Sequence, residues 1–244
     1  MGTEEGVEKI FFELASENRL AILRLLQAST LKMQDIAREI DVTPTESLRQ
    51  LQRLGEAGLV QRQPDGSYTS TQYGTLVLRI SASIDFLWRH REYFSKHDLL
   101  RLPPQFNNRI GELSGATLIL DTIESLNIGQ RIMMDATEYA WGIAEGHIPE
   151  LMGPIMDEKV RSGLGIRMLI PHSALSPGRT PPNVELRGIS EVPLGIALTE
   201  SSAVVSFRFA DGGLDYAGFS GTDPIFLDWA KDLFLYYWNR AREA

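Results

Sequence analysis

The chain has 244 residues, a hydrophobic content of 43%, a charged content of 23% and a formal net charge of −8. These values describe a chain long enough for two modest domains with apolar cores, and they argue against a protein that coats nucleic acid by bulk charge. The complete absence of cysteine excludes disulfides, thiolate metal sites and cysteine nucleophiles.

The first 57 residues carry a succession of short helical patterns. Apolar spacing predicts helices over 7–15 and 33–40, and between them a second helix capped by Ser16. The next helix is predicted over 44–57, because Thr43 can cap it, a proline occupies its first position, and a glutamate follows three residues after the cap. Three helices separated by tight turns, with a fourth following, are typical of a helix-turn-helix.

A hairpin pattern follows the fourth helix at once. Gly58 favours a left-handed helix end, and short strands are predicted at 59–63 and 67–70 around a Pro-Asp-Gly turn. Helices followed by such a hairpin predict a winged helix-turn-helix, in which the helix over 44–57 enters the DNA major groove. Arginine and glutamine make bidentate contacts with base edges, so Thr45, Arg49 and Gln50 are predicted to lie at or near the bases. Arg53 and Arg62 are predicted to contact phosphates. The predicted DNA-binding residues are Thr43, Thr45, Ser47, Arg49, Gln50, Arg53 and Arg62.

A longer helical pattern leaves the hairpin and extends over 71 to about 94. One face of it recurs at alternating spacings of three and four, with one charged interruption at Arg91. The residues of this face are Val77, Ile80, Ile84, Leu87, Arg91 and Phe94. This heptad-like seam predicts pairing with a second copy of the chain. The alternative is that the seam packs on the chain's own second domain.

A proline-containing break at 97–105 precedes a region of different pattern. Short helices are predicted at 106–113 and 119–126, a helix at 149–161 and a closing helix at 224–243. The two strands that flank the helix at 149–161 predict a parallel βαβ unit, and Asp211-Gly212-Gly213 indicates a hairpin. The predicted strands are 139–144, 165–170, 184–186, 194–199, 203–209 and 216–219.

Several polar and aromatic residues lie in or just after the first two of these strands. Ligands collect at strand ends in α/β sheets, so an effector, either a small molecule or an anion, is predicted to bind here. The predicted ligand-binding residues are Tyr139, Trp141, His147, Arg167 and His172. The alternative reading makes the two aromatic residues part of the core and Arg167 a surface residue.

The chain resembles the archaeal transcription regulators grouped as methanogenesis regulatory proteins. The residues that carry the resemblance are Asn18-Arg19-Leu20-Ala21-Ile22-Leu23, Arg101-Leu102-Pro103-Pro104-Gln105-Phe106, Glu150-Leu151, the segment 161–167, Asp211-Gly212-Gly213 and the segment 228–234. The resemblance implies an N-terminal winged helix joined to an effector domain related in fold to phospholipase D. The winged half alone also resembles arsenic-repressor-like regulators, without their thiolate metal site.

The sequence does not support an enzyme. A phospholipase D-type site needs a histidine followed two residues later by lysine, and the four histidines are instead followed by Glu92, Leu99, Pro149 and Ala174. Phosphate loops, zinc-binding His-Glu-x-x-His pairs and nucleophile elbows are absent from the sequence. We therefore expect no catalytic residues, no metal and no cofactor.

Together these patterns predict an α+β protein with three parts: a winged helix-turn-helix over 1–70, a linker and dimerisation helix over 71–96, and a mixed α/β effector domain over 97–244. The predicted function is a dimeric, sequence-specific DNA-binding transcription regulator whose partners are double-stranded DNA and a second copy. Two alternatives stay open. One is a winged-helix adaptor that binds protein, and the other is a hydrolase or transferase with an unrecognised site in the C-terminal half, against which the missing histidine–lysine pair counts. With no signal-peptide or membrane-span pattern, a cytoplasmic location is expected.

Overall fold

The computed structural model describes residues 6–145, 153–175 and 181–243. The chain divides into two compact units, Met1–Ile84 and Asp85–Ala244. Each unit has its own apolar core, so the two are described separately.

The first unit is a winged helix-turn-helix, as predicted. Its elements are α1 (Val7–Leu14), α2 (Glu17–Ala28), β1 (Leu31–Lys32), α3 (Met33–Glu39), α4 (Pro44–Glu56), β2 (Val60–Arg62) and β3 (Ser67–Ser70). Strand β1 pairs with β3, so the described sheet has the antiparallel order β1-β3-β2. The sequence predicted β2 and β3 only, because the two residues of β1 are too few to give a strand pattern.

Apolar side chains from α2, α3, α4 and β2 close the core of the first unit. Thr43 caps α4 by accepting a hydrogen bond from the Glu46 N–H at 3.2 Å. Gly58 has a φ of 71° just after α4, a conformation that costs a glycine little and lets the chain turn directly into the hairpin. The fully buried members of this core are Ile22, Leu23, Ile36, Leu51, Leu54 and Leu59.

The linker pattern forms two helices rather than one. Helix α5 (Gln72–Arg89) ends before His90, where the backbone leaves helical geometry, and α6 (Arg91–Phe94) follows. The prediction of one helix to about residue 94 is therefore wrong at its end. Along α5, Leu78 belongs to the core of the first unit and Phe86 to the core of the second.

The second unit is built on one mixed sheet. Among the described residues its eight strands have the order β11-β7-β6-β5-β8-β9-β10-β4, and β5, β6 and β7 are mutually parallel. The parallel β5–α9–β6 unit was predicted and is confirmed. The elements are α7 (Pro104–Asn107), β4 (Thr117–Ile119), α8 (Thr122–Asp135), β5 (Tyr139–Ile143), α9 (Gly153–Arg161), β6 (Gly165–Pro171), β7 (Val184–Ile189), β8 (Leu194–Thr199), β9 (Ala203–Arg208), β10 (Leu214–Gly221), α10 (Pro224–Trp238) and β11 (Arg242–Glu243).

The two faces of this sheet carry side chains of different size. One face holds large side chains such as Phe207 and Phe219, which pack with Trp229, Leu233 and other residues of α10 in the main core. The other face carries α8 and α9 and a smaller apolar cluster that includes Ala140 and Ile166. This difference in side-chain size positions the cavity described below.

Three predicted elements of the second unit require correction. The helix predicted at 119–126 is wrong at its start, because 117–119 form β4 on β10 and α8 begins only after Asp121, which caps it. The helix predicted at 106–113 is a short α7 followed by a 3-10 helix, Ile110–Gly115. The closing helix ends at Trp238, because Arg242 and Glu243 pair with β7. The first part of the helix predicted at 149–161 lies outside the described residues.

Candidate nucleic-acid interface and ligand cavity

Helix α4 presents one exposed face along its length. Thr45, Leu48, Arg49 and Gln52 are exposed and recur at helical spacing, whereas Leu51 and Leu54 are buried on the opposite side. Hydroxyl, amide and guanidinium groups are the donors and acceptors that recognise base edges, and an apolar side chain can contact a thymine methyl group. This face has the composition of a major-groove reader.

Two of the predicted DNA-binding residues do not lie on this face. Ser47 is 0% exposed and its hydroxyl lies 3.4 Å from the Met33 carbonyl, while Gln50 is 5% exposed. The prediction that both point outward is therefore wrong. Leucine spacing predicts that Leu48 is buried with Leu51 and Leu54, but Leu48 is 38% exposed, so that prediction is wrong. The buried face of α4 consists of residues 47, 50, 51 and 54. It is therefore turned about the helix axis relative to the face that the leucines alone define.

Gln50 can be buried because both ends of its side-chain amide make hydrogen bonds to charged residues. Its carbonyl oxygen accepts from the Arg19 guanidinium at 3.0 Å, and its amide donates to Glu46. Arg19 also donates to the carbonyls of Phe12 and Glu13 at the end of α1, at 2.7 and 2.8 Å. A buried arginine thus ties α1 to the interior face of α4.

The exposed arginines of α4 are paired in the free protein. Arg49 lies 2.9 Å from Glu46, and Arg53 lies 2.7 Å from Glu13. Hydrogen bonds from Arg49 and Gln50 hold the pKa of Glu46 below its ordinary value. Glu46 therefore stays ionised at neutral pH, and a nucleic acid that binds Arg49 must compete with this carboxylate.

The remaining predicted contact residues are accessible. Thr43 is exposed at the start of α4, and Arg62 is exposed at the end of β2. At the wing tip, hydrogen bonds from the Ser67 hydroxyl and N–H lower the pKa of Asp65. The tip therefore carries a stable negative charge, which disfavours deep insertion of the turn into a minor groove.

The predicted ligand residues of β5 and β6 lie on the sheet face that α10 covers. Trp141 stacks on Phe234 with ring centroids 5.1 Å apart, and the Tyr139 ring lies 4.6 Å from that of Trp141. The Arg167 guanidinium lies 5.4 Å from the Trp141 ring and is ion-paired with Glu185 at 3.0 Å. These side chains make packing contacts on that face, and the Arg167 guanidinium already has a carboxylate partner.

A cavity of about 170 Å³ lies instead against the opposite face, between α8, α9 and strands β5, β6, β8, β9 and β10. Of the predicted ligand residues, Trp141 borders it, whereas Tyr139 and Arg167 do not. His172 is exposed in a 3-10 turn after β6 and does not border the cavity. His147 lies outside the described residues. Of the described members, Tyr139, Trp141 and Arg167 therefore lie together on the face that α10 covers, and His172 lies apart from them.

Within the described residues, no group of three or more histidine or acidic side chains could hold a metal ion.

His97 is buried, and its Nε2 lies 2.9 Å from an oxygen of Asp215 while its Nδ1 lies 2.6 Å from the Tyr93 carbonyl. His90 makes edge-on ring contacts with Phe86. Both rings are therefore packed within the second unit.

Two domain families match this chain. Residues 7–91 match the HVO_A0261 N-terminal domain, and residues 136–240 match the middle domain of the methanogenesis regulatory protein FilR1. The second unit thus matches a domain of a regulatory protein. The expected resemblance to methanogenesis regulatory proteins is confirmed at this level.

Several solved structures are also similar. TrmBL2, an archaeal chromatin protein, is 13% identical with a TM-score of 0.43, over 98% of this chain and 97% of that one. The homodimeric winged helix-turn-helix domain of Mb0332 from Mycobacterium bovis is 26% identical with a TM-score of 0.31, over 35% and 80%. HlyU from Vibrio cholerae is 27% identical with a TM-score of 0.28, over 37% and 98%. The fold assignment rests on the chain's own elements.

No curated protein matches the sequence. Within the part of the chain that the structure describes, no helix is both long enough and apolar enough to cross a membrane.

Proposed function

We propose that this chain is a sequence-specific, DNA-binding transcription regulator that acts as a homodimer in the cytoplasm, with an effector bound to its second unit. The observation that carries the proposal is the exposed face of α4, which displays Thr45, Arg49 and Gln52 from a winged helix-turn-helix. The match of residues 136–240 to a domain of a methanogenesis regulatory protein supports the same conclusion.

In this proposal α4 lies in the major groove of the operator. Thr45, Arg49 and Gln52 contact base edges, and Leu48 contacts a thymine methyl group. The cations and hydroxyls at the margin, Thr43, Arg53 and Arg62, contact phosphates and fix the register. Ser47 and Gln50 act from inside, because they hold α4 against α3 and Arg19.

Dimerisation is proposed through the outer face of α5. Leu76, Ile80, Ile84 and Leu87 are exposed at spacings of four, four and three, and Ile80 is 58% exposed. Two of the residues predicted for the seam are excluded, because Val77 packs on the core of the first unit and Phe94 on that of the second. The spacing of four and three from Ile80 to Leu87 is that of a heptad seam, which pairs readily with its own copy. Pairing would present two α4 helices to a palindromic operator.

We further propose that the second unit is a non-catalytic effector domain related in fold to phospholipase D. The absence of a histidine followed two residues later by lysine supports a non-catalytic role. The parallel β5–β6–β7 core with helices on both faces is compatible with that kinship. No cofactor is assigned to the chain.

The most direct test substitutes exposed residues of α4 and measures DNA binding. Footprinting of the tagged protein across the genome supplies the operator, and fluorescence anisotropy then measures affinity for a labelled duplex. Arg49→Ala should weaken operator binding roughly 5- to 150-fold, the range expected for one lost base contact. Arg53→Ala should weaken operator and unrelated duplexes alike and lower the salt slope by about 1.

The matched control is Arg131→Ala, which removes the same charge from an exposed position of α8 in the second unit. It should leave operator affinity unchanged. If Arg49→Ala also leaves operator affinity unchanged, α4 is not the helix that recognises the operator. If affinity for duplex DNA does not fall with salt, phosphate contacts are absent and the adaptor function is favoured instead.

A further inference from the structure

The cavity in the second unit exists because one face of the sheet carries small residues. Gly142, Gly195 and Ala197 lie on the face towards α8, and their strand neighbours Trp141 and Ile196 lie on the face towards α10. Since successive side chains in a strand alternate between faces, the large residues build the core and the small ones border the cavity, where Met168 and Ser206 pack directly over Gly142 and Gly195. The open volume therefore follows from the sequence of β5 and β8.

The helix that covers the cavity also preserves it. Gly129 lies in the middle of α8 and borders the cavity, and a methyl group added there would meet nothing within 4 Å. Glycine inside a helix is destabilising relative to alanine. Its φ is not in the left-handed region, so the backbone does not require it. A glycine that weakens its own helix and keeps a cavity open points to an occupant.

The lining selects an uncharged occupant. Its walls include the flexible side chains of Met133, Met156 and Met168, which adapt to ligands of irregular shape. Ser125 and Ser206 are buried polar residues in the lining and can satisfy a single hydroxyl or amine. No lysine, arginine or histidine is among the described residues that border the cavity, and the one carboxylate that borders it, Glu145, lies 2.6 Å from the Arg208 guanidinium. An anion would therefore lose its hydration without gaining a counter-charge.

The volume of the cavity limits the size of the molecule that it can hold. An apolar protein cavity of about 150 Å³ accepts benzene, and this one measures about 170 Å³. We propose that the cavity binds an uncharged, largely apolar molecule the size of one substituted aromatic ring, and that this molecule is the effector. The first part stands on the cavity alone, and the second rests on the proposed regulatory function.

The binding test uses the full chain with three probes of one size: toluene and phenol, which are neutral, and benzoate, which is an anion. A bound ligand at ten times its dissociation constant should raise the thermal midpoint by about 3 to 6 °C. Toluene or phenol should produce this shift and benzoate should not. A shift from benzoate equal to or larger than the neutral shifts overturns the assigned class, and no shift from any probe overturns the site.

The location is tested with Gly129→Leu, which fills the cavity, against Asn127→Leu, which adds the same side chain at an exposed position of α8. Gly129→Leu should abolish the neutral-ligand shift and Asn127→Leu should retain it; equal behaviour of the two variants overturns the location. A second measurement needs no variant. In the wild-type chain labelled at its methionine methyl groups, NMR signals of Met156 and Met168 should move with toluene, while that of Met33 in the first unit should not.

Operator affinity is measured separately, with and without toluene. Ligand binding together with a change in operator affinity supports both parts of the proposal. Ligand binding without any change in operator affinity retains the site and overturns its role as the effector site. Failure of the chain to bind any operator overturns the proposed function, while the thermal and NMR results still decide the cavity.

Discussion

Replacement of Arg19 by methionine tests whether the interior face of α4 depends on a buried arginine. In the folded chain this guanidinium donates to the Phe12 and Glu13 carbonyls and to the Gln50 amide oxygen, at 2.7, 2.8 and 3.0 Å. It also lies 2.8 Å from the Glu13 carboxylate. Methionine preserves much of the side-chain volume and supplies none of these donors.

The magnitude follows from what the substitution leaves behind. Each buried acceptor without a donor costs about 1 kcal/mol or more. Arg19→Met leaves the buried Gln50 amide oxygen in that state and removes the donor from two partly buried carbonyls. The Glu13 carboxylate keeps Arg53 at 2.7 Å, so it does not become an isolated buried charge. We therefore expect the free energy of unfolding of the first unit to fall by roughly 2 to 4 kcal/mol.

Urea unfolding of the full chain, followed by two signals, measures this effect. Circular dichroism at 222 nm reports both units, whereas fluorescence reports the second unit, because the four tryptophans are residues 88, 141, 229 and 238. Arg19→Met should move only the circular dichroism transition of the first unit. The control is Arg24→Met, at an exposed position of α2. If the two variants agree within about 0.5 kcal/mol, the surface-substitution range, the network does not stabilise α4.

Three further predictions follow from single contacts. Glu46→Gln should strengthen operator binding about two- to five-fold, because Arg49 loses its carboxylate partner, as salt-dependent anisotropy would show; unchanged affinity contradicts the competition. Ile80→Glu should convert the dimer to a monomer in analytical ultracentrifugation, whereas Ala82→Glu, exposed on another side of α5, should not. Burial would raise the pKa of Glu200, but hydrogen bonds from backbone N–H groups and a threonine hydroxyl outweigh it and lower the pKa to about 2. Because the folded pKa is depressed, its stabilisation is present above the unfolded value of 4.5 and is lost as pH falls towards 2. Glu200→Gln should therefore lower stability at pH 7 by about 1 kcal/mol, after allowance for solvent screening, and match wild type near pH 2 in urea titrations.

Local patterns were sufficient for most of the secondary structure. The caps at Thr43 and Ser16, and the six predicted strands of the second unit, depend on residues close in sequence, and all are present. Errors arose where pairing is distant. Strand β4 forms because 117–119 meet β10, about a hundred residues later, and β11 forms because the end of the chain returns to β7. Such pairings leave no local signature.

The candidate interface shows the same division between local and distant causes. The sequence identified α4 and its exposed Arg49 from spacing alone. It could not show that Gln50 is buried, because the partner that satisfies this amide is Arg19, 31 residues earlier and on another helix. An uncompensated glutamine would be expected at the surface. Leu48 was predicted to be buried for a related reason. Because Ser47 and Gln50 are buried on α4, the buried face is turned away from Leu48 and leaves it exposed.

The cavity shows what alternation along a strand does and does not determine. Alternation puts Tyr139 and Trp141 on the same face of β5, but it does not indicate which face a helix covers. Here α10 fills the aromatic face, so the residues that looked most suited to ligand binding are engaged in packing. The space lies on the face of glycine and alanine, residues that carry no chemical signal in a sequence. A site defined by missing side chains becomes visible only when the facing helix is in place.

An occupant of that space can regulate DNA binding only under one physical condition. A ligand shifts an equilibrium between two arrangements by no more than its difference in affinity for them. A rigid cavity equally open in both arrangements would bind toluene and change nothing at the operator. The cavity must therefore differ between them, and α8 is the element able to change it, because Gly129 weakens this helix and flexible methionines line its contacts. Reciprocity then requires operator DNA to alter ligand affinity by the same factor that the ligand alters operator affinity.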